Sequence, residues 1–166
     1  MRRRDFITLL GGAAGAWPIA ARAQQAGLPV VAFVSPRSAV EAERDAAAFR
    51  KGLNGVGIVE GQNATVEYNW LDGQNGRLPS LMADLVRRRV AVIAIPASAP
   101  AALAAKAATS TIPIVFGVGE DPVKLGLVAN LARPGGNATG SNFFLNEITA
   151  KQLEAFYMSW CQESLA

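Results

Sequence analysis

Apolar and polar positions along this chain switch repeatedly between two periods. Pro29 to Ser35 (PVVAFVS) is a short apolar run rich in β-branched residues, the pattern of a buried strand, and Val40 to Leu53 then carries helical spacing up to Asn54-Gly55. Ala64 to Trp70 (ATVEYNW) alternates as a strand does. Leu78 to Arg89 returns to the helical period, with Leu78, Leu81, Leu85 and Val86 on one face. Val90 to Ile95 reads as a further buried strand, Ala99 to Thr109 as an alanine-rich helix, and Ile112 to Val118 as a fourth strand. Asp121 to Leu131 begins with an acidic N-cap followed by Pro122 at the first helical position, so a helix is expected there too. Asn137 to Phe144 closes the series as a fifth strand.

Strands that are continuous apolar runs and alternate with helices predict an α/β domain, a doubly wound and mostly parallel sheet covered on both faces. Ligands of such sheets bind beyond the carboxyl ends of the strands. The loops of interest are therefore Ser35 to Ala39, Pro96 to Pro100 and Gly117 to Pro122. Ser35 and Ser38 place hydroxyls and amides after the first strand, suited to a carboxylate or another anion, although Ser38 also suits a helix cap. Ser98, with the amides of Ala99, Ala101 and Ala102, opens the alanine-rich helix in the equivalent place, where capping and ligand contact are both open. Gly119, Glu120 and Asp121 bring carboxylates to a strand end, where Asp121 could accept a ligand amine or cap the next element. Tyr68 and Trp70 are candidates for a pocket wall or for core.

The first 23 residues change the picture of where the chain works. Arg2, Arg3 and Arg4 precede an uncharged stretch from Phe6 to Ala21, and Ala21-Arg22-Ala23 has the small-x-small form of a signal-peptidase site. With Gly11, Gly12, Gly15 and Pro18 the apolar part is too short and broken to span a bilayer, which takes about 20 apolar residues. An export signal over 1–23 is expected, with a mature chain starting near Gln24. The order Arg3-Arg4-x-Phe6-Ile7 fits a twin-arginine signal, and a general secretory signal with a basic start fits as well. No cysteine stands at the cleavage site, so a soluble periplasmic protein is the simplest reading.

Charge then loses its apparent meaning. The chain carries a formal +3, and Arg2, Arg3, Arg4 and Arg22 against Asp5 account for it, so the mature part is near neutral and nucleic-acid binding has little support. There is no histidine and one cysteine, Cys161. Histidine-based triads, Cys-His pairs, imidazole metal sites and an internal disulfide are thereby excluded. Glu41 and Glu43 lie among Arg44, Asp45 and Arg50 and read as a solvated helix face. Gly117-x-Gly119 lacks the third glycine of a dinucleotide loop and no Gly-Lys-Ser/Thr phosphate loop exists, so no cofactor is expected. Asn63-Ala64-Thr65 and Asn137-Ala138-Thr139 match the glycosylation pattern by chance.

About 143 residues remain after the signal, enough for one domain with its own core. RRRDFITLLGGAAGAWPIAARAQQ, VEGQNATVEYNW, LPSLMADLVRRRVAVI and above all PAALAAKAATSTIPIVFGVGEDPVKLGLVANLARPGGNATG resemble the ABC transporter substrate-binding proteins related to the tryptophan/tyrosine uptake system. The resemblance implies the type I periplasmic binding fold, with two α/β lobes closing around an amino acid or similar small carboxylate. It also implies delivery to an ABC permease in the inner membrane and its ATPase. The family's pocket loops fall on Ser35 and Ser38, on Ala97, Ser98 and Ala99, and on Gly119, Glu120 and Asp121.

Three segments follow from this reading: the signal over 1–23, an N-terminal α/β lobe over 24–150, and an aberrant tail over 151–166. Lys151-Gln152-Leu153-Glu154 resembles the start of the helix that crosses to a second lobe, after which AFYMSWCQESLA departs from the family pattern. A truncated binding protein is expected, impaired because one wall of its cleft is missing and prone to self-association through the exposed interlobe surface. The function expected is solute binding for transport, without catalysis. A stand-alone sensor or interaction module is the alternative, and an enzyme on the same sheet lacks the phosphate loop or titratable cluster it would need.

Overall fold

The computed structural model describes residues 27–143, so the expected signal and the tail from 151 lie outside the described residues. Five strands form one sheet: β1 (Val30–Ser35), β2 (Thr65–Trp70), β3 (Val92–Ile95), β4 (Ile114–Val118) and β5 (Ala138–Asn142), in spatial order β2-β1-β3-β4-β5 with every pair parallel. Three helices connect them: α1 (Glu43–Gly55), α2 (Leu78–Arg88), preceded by a 3-10 turn at Asn75–Arg77, and α3 (Ala99–Ala108). The expected doubly wound α/β sheet is therefore present, and the chain reverses direction across the sheet between β1 and β3.

Alternation along the strands divides the core in two. Ala32, Val34, Ile93, Ile95, Ile114, Phe116 and Val118 face one way and pack with Leu78, Met82 and Leu85 of α2 and with Ala101, Ala102 and Ala105 of α3. Small alanines on α3 let that helix lie close to β3 and β4. On the opposite face Phe33 is fully buried, meeting Ala46 and Phe49 of α1 and Val66, Tyr68 and Trp70 of β2. The ring centroid of Phe33 lies 5.1 Å from Phe49 and 5.6 Å from both Tyr68 and Trp70. Tyr68 and Trp70, two residues apart on one strand, share this face and stack on each other, so they belong chiefly to core packing.

Strand ends fall within two residues of the expectation where described, and two elements depart further, each for a local reason. The helix expected from Val40 begins at Glu43, because Ser38 and Ala42 close a separate turn through Ala42 N to Ser38 O at 3.1 Å, leaving Val40 exposed. The helix expected over Asp121 to Leu131 is not formed. Asp121 does cap a turn, accepting Val123 N at 2.8 Å, but Gly126 takes a φ of 72° and Leu127 N folds back to Pro122 O, ending the coil after one turn. Lys106 of α3 then holds that turn by donating to the carbonyls of Gly126 and Leu127. The asparagines of the two chance glycosylation matches are tied into structure: Asn63 accepts from Val59 N and donates to Gly57 O, and Asn137 donates to Thr109 O and Ile112 O.

Candidate functional site

Parallel strands bring all their carboxyl ends to one edge of the sheet, and the loops leaving them converge there. They enclose an open cavity of about 450 Å³. Pro36 follows β1, Asn75 follows β2, Ala97, Ser98, Ala99 and Pro100 follow β3, Gly119 and Glu120 follow β4, and Phe143 follows β5. This is the crevice at the point where the strand order reverses, the usual ligand position in open α/β sheets.

The loop after β3 is built for this position. Pro96 ends the strand, Ala97 is exposed, and Ser98 is in extended conformation with its Oγ accepting Ala101 N at 3.2 Å. That bond is an N-cap, and Ala102 N is taken by Ser98 O at 3.0 Å. Of the three amides expected to serve a ligand, the Ala99 amide therefore carries that expectation alone. The partial positive charge at the start of the 10-residue α3 is directed toward the same edge.

Among the described residues Glu120 is the one ionisable side chain in the lining, and it is exposed. It stands beside Gly119, on the loop that leaves β4. The arrangement offers a carboxylate, a helix N-terminus, an amide side chain at Asn75 and an apolar floor from Val118 and Pro36. Among the described residues no group of three His, Cys, Asp or Glu side chains is placed to hold a metal ion.

Three residues singled out from the sequence stand outside the lining and have local partners. Ser35 is buried and accepts Arg37 N at 3.2 Å. Ser38 and Glu41 form a capping box, with Ser38 N and Oγ each 3.0 Å from Glu41 Oε2 and Glu41 N 3.3 Å from Ser38 Oγ. The bonds from Ser38 hold the Glu41 carboxyl below the usual carboxylate range. Asp121 spends its carboxylate on the amides of Val123 and Lys124. Sequence reasoning missed Asn75 and Phe143, which reach the cavity only because β2 and β5 are placed at opposite sides of the β1-β3-β4 centre.

Another recess, of about 440 Å³, runs along the outer edge of β2 past Tyr68, Trp70, Arg77 and Leu81. It is formed by β2, by Leu71 and Arg77 of the segment that follows it and by the start of α2, so one strand end reaches it where five reach the other cavity, and the carboxyl edge is the candidate site. Burial, followed by the charge of Glu60, pushes the Tyr68 hydroxyl above its ordinary pKa, consistent with a structural phenol.

Residues 28–158 match the family described as ABC transporter substrate binding protein. A tyrosine-binding protein of Clostridioides difficile (strain R20291) is 33% identical over 98 residues, which cover 59% of this chain and 28% of that protein. A conserved domain protein of Vibrio cholerae O1 biovar El Tor shares 33% identity with a TM-score of 0.60, covering 69% of this chain and 38% of its own. The ligand-free, open structure of a substrate binding protein with adhesive properties from Clostridium difficile superposes with a TM-score of 0.63 at 25% identity, over 69% of this chain and 39% of that one. A domain solved in complex with L-Trp from Streptococcus pneumonia has a TM-score of 0.62 at 21% identity, over 70% and 39%, and speaks for the fold alone. The chain thus spans well under half the length of these relatives. Its sheet, its strand order and the reach of the family match identify the chain as a member of the ABC transporter substrate-binding protein family.

Proposed function

We propose that this chain forms the N-terminal wall of the ligand cleft of an exported ABC transporter substrate-binding protein that takes an amino acid or a similar small carboxylate. The observation that carries the reading is the cavity at the carboxyl edge, where loops from all five strands meet around Ser98, Gly119 and Glu120. A carboxylate of the ligand suits the Ala99 amide and the α3 N-terminus, and an ammonium suits Glu120. The tyrosine-binding relative points to the same ligand class. Ser35, Ser38 and Asp121 act through the loops they shape.

Delivery to a permease in the inner membrane is part of this reading, as is export. The basic start, the broken apolar stretch and Ala21-Arg22-Ala23 support a signal over 1–23, a lobe over 24–150 and a further segment from 151. No helix among the described residues is long and apolar enough to cross a membrane. Closure around a ligand needs a second wall, so this lobe acting alone binds more weakly than a complete cleft.

Isothermal titration with L-tyrosine, L-tryptophan and glutarate, with glucose as the neutral control, tests the function. Saturable heat for at least one of the first three and none for glucose is expected. No saturable heat from any of them would favour the stand-alone interaction module. Export is checked by N-terminal sequencing of the periplasmic fraction, where a mature start near Gln24 is expected and an intact Met1 would contradict it.

A further inference from the structure

Phe143 occupies an unusual place for a large apolar side chain. It is 49% exposed, yet its backbone is held, because its N–H donates to Val118 O at 2.9 Å and extends the β4-β5 ladder by one residue. Its ring lies over Gly117. A Cβ at 117 would stand 3.1 Å from Cε2 and Cζ of that ring and 2.4 Å from Pro96 O, so a glycine is what lets the ring settle against the strand.

The ring also borders three recesses at once. On one side is the cleft of about 450 Å³ at the carboxyl edge. On the other are a recess of about 360 Å³ lined by Arg37, Asp45, Ala48, Phe49, Pro96 and Ala97, and one of about 210 Å³ on the face of β3 and β4, beside Ala94 and Val115, that α1 leaves uncovered among the described residues. Ala97 lines the cleft and the 360 Å³ recess together, so these two spaces meet at Ala97 and Phe143.

The geometry points to Phe143 as the partition that ends the ligand cleft on the α1 side and so sets the length of side chain the cleft accepts. This rests on the binding function proposed above. A side chain no longer than the cleft packs on the ring, and a longer one runs into it. Shortening residue 143 opens the way to the recess beside Arg37, Asp45 and Phe49, and adds room where the ligand's far end would lie.

The test is a residue-resolved amide-shift titration of the ¹⁵N-labelled chain with L-tyrosine and with the elongated probe O-benzyl-L-tyrosine. It compares the wild type with Phe143→Leu, Phe143→Val and Phe143→Ala. The wild type is expected to prefer L-tyrosine by roughly tenfold or more, the scale on which an apolar wall discriminates. That preference should fall stepwise from Leu to Val to Ala. Should the Ala variant not fold, the order of wild type, Leu and Val decides the matter. A preference that stays the same while residue 143 shrinks overturns the partition and leaves the binding function standing. Absence of a saturable shift with L-tyrosine in the wild type overturns the binding function for this probe, and the partition with it.

Discussion

Single residues here are shaped by their nearest neighbours more than by any ligand. Glu41 is exposed, yet hydrogen bonds from the Ser38 amide and hydroxyl depress its pKa below that of an ordinary glutamate, so the capping box stabilises most above the unfolded-state value. That contribution is lost as pH falls through the depressed folded value. NMR titration of the Glu41 carboxyl should therefore give a midpoint below that of an ordinary glutamate, and Ser38→Ala should return it upward; an unmoved midpoint would remove the box as the cause. Gly140 is constrained differently. A Cβ there would lie 2.0 Å from Phe116 O, so Gly140→Ala must push β5 off β4 and should cost about 1–3 kcal/mol in urea denaturation. An unchanged midpoint would show that the strand spacing adapts freely. The serines and Asp121 were legible as polar groups at strand ends, but whether each serves a cap or a cavity depends on turns that composition does not reveal.

Elements with a strong apolar period were the easiest to read. β1, β3 and β4 lie inside the sheet and are largely buried, Val115 of β4 excepted, so their Val and Ile runs mark them; the α2 face read as Leu78, Leu81, Leu85 and Val86 is centred on Leu78, Met82 and Leu85, with Leu81 and Val86 at its margin. The element over Asp121 to Leu131 misled because its cap and proline are helical signals. Its early end is set by the left-handed Gly126 together with a tertiary clamp from Lys106, 20 residues away. Lys106→Met should accordingly speed hydrogen exchange at Leu125 and Leu127 while α3 stays protected, and equal exchange would mean the turn stands without the clamp. In the smaller core, Phe33 holds α1 to β2 through three aromatic neighbours. Phe33→Ala should cost about 3–5 kcal/mol, and Phe143→Ala less, because that ring is half in solvent.

At the scale of the whole molecule the sheet is covered unevenly. Helices α2 and α3 cover one face, whereas α1 covers only the β1-β2 side of the other, and Val115 of β4 is left 44% exposed among the described residues. The alternation of apolar strands with helices made this edge and its cavity legible in outline, since loops after β1, β3 and β4 were expected to converge. Asn75 and Phe143 were not legible, because their places depend on the partners of β2 and β5 and not on their own segments. The central claim is that the carboxyl edge binds an amino acid, and the most direct measurement is an amide-shift map of the labelled chain titrated with L-tyrosine and L-tryptophan. Saturable shifts centred on Ala97 to Ala99 and Gly117 to Glu120 are predicted for at least one of the two. Shifts confined to the β2-edge recess around Tyr68 and Leu81, or none at all, would contradict the account.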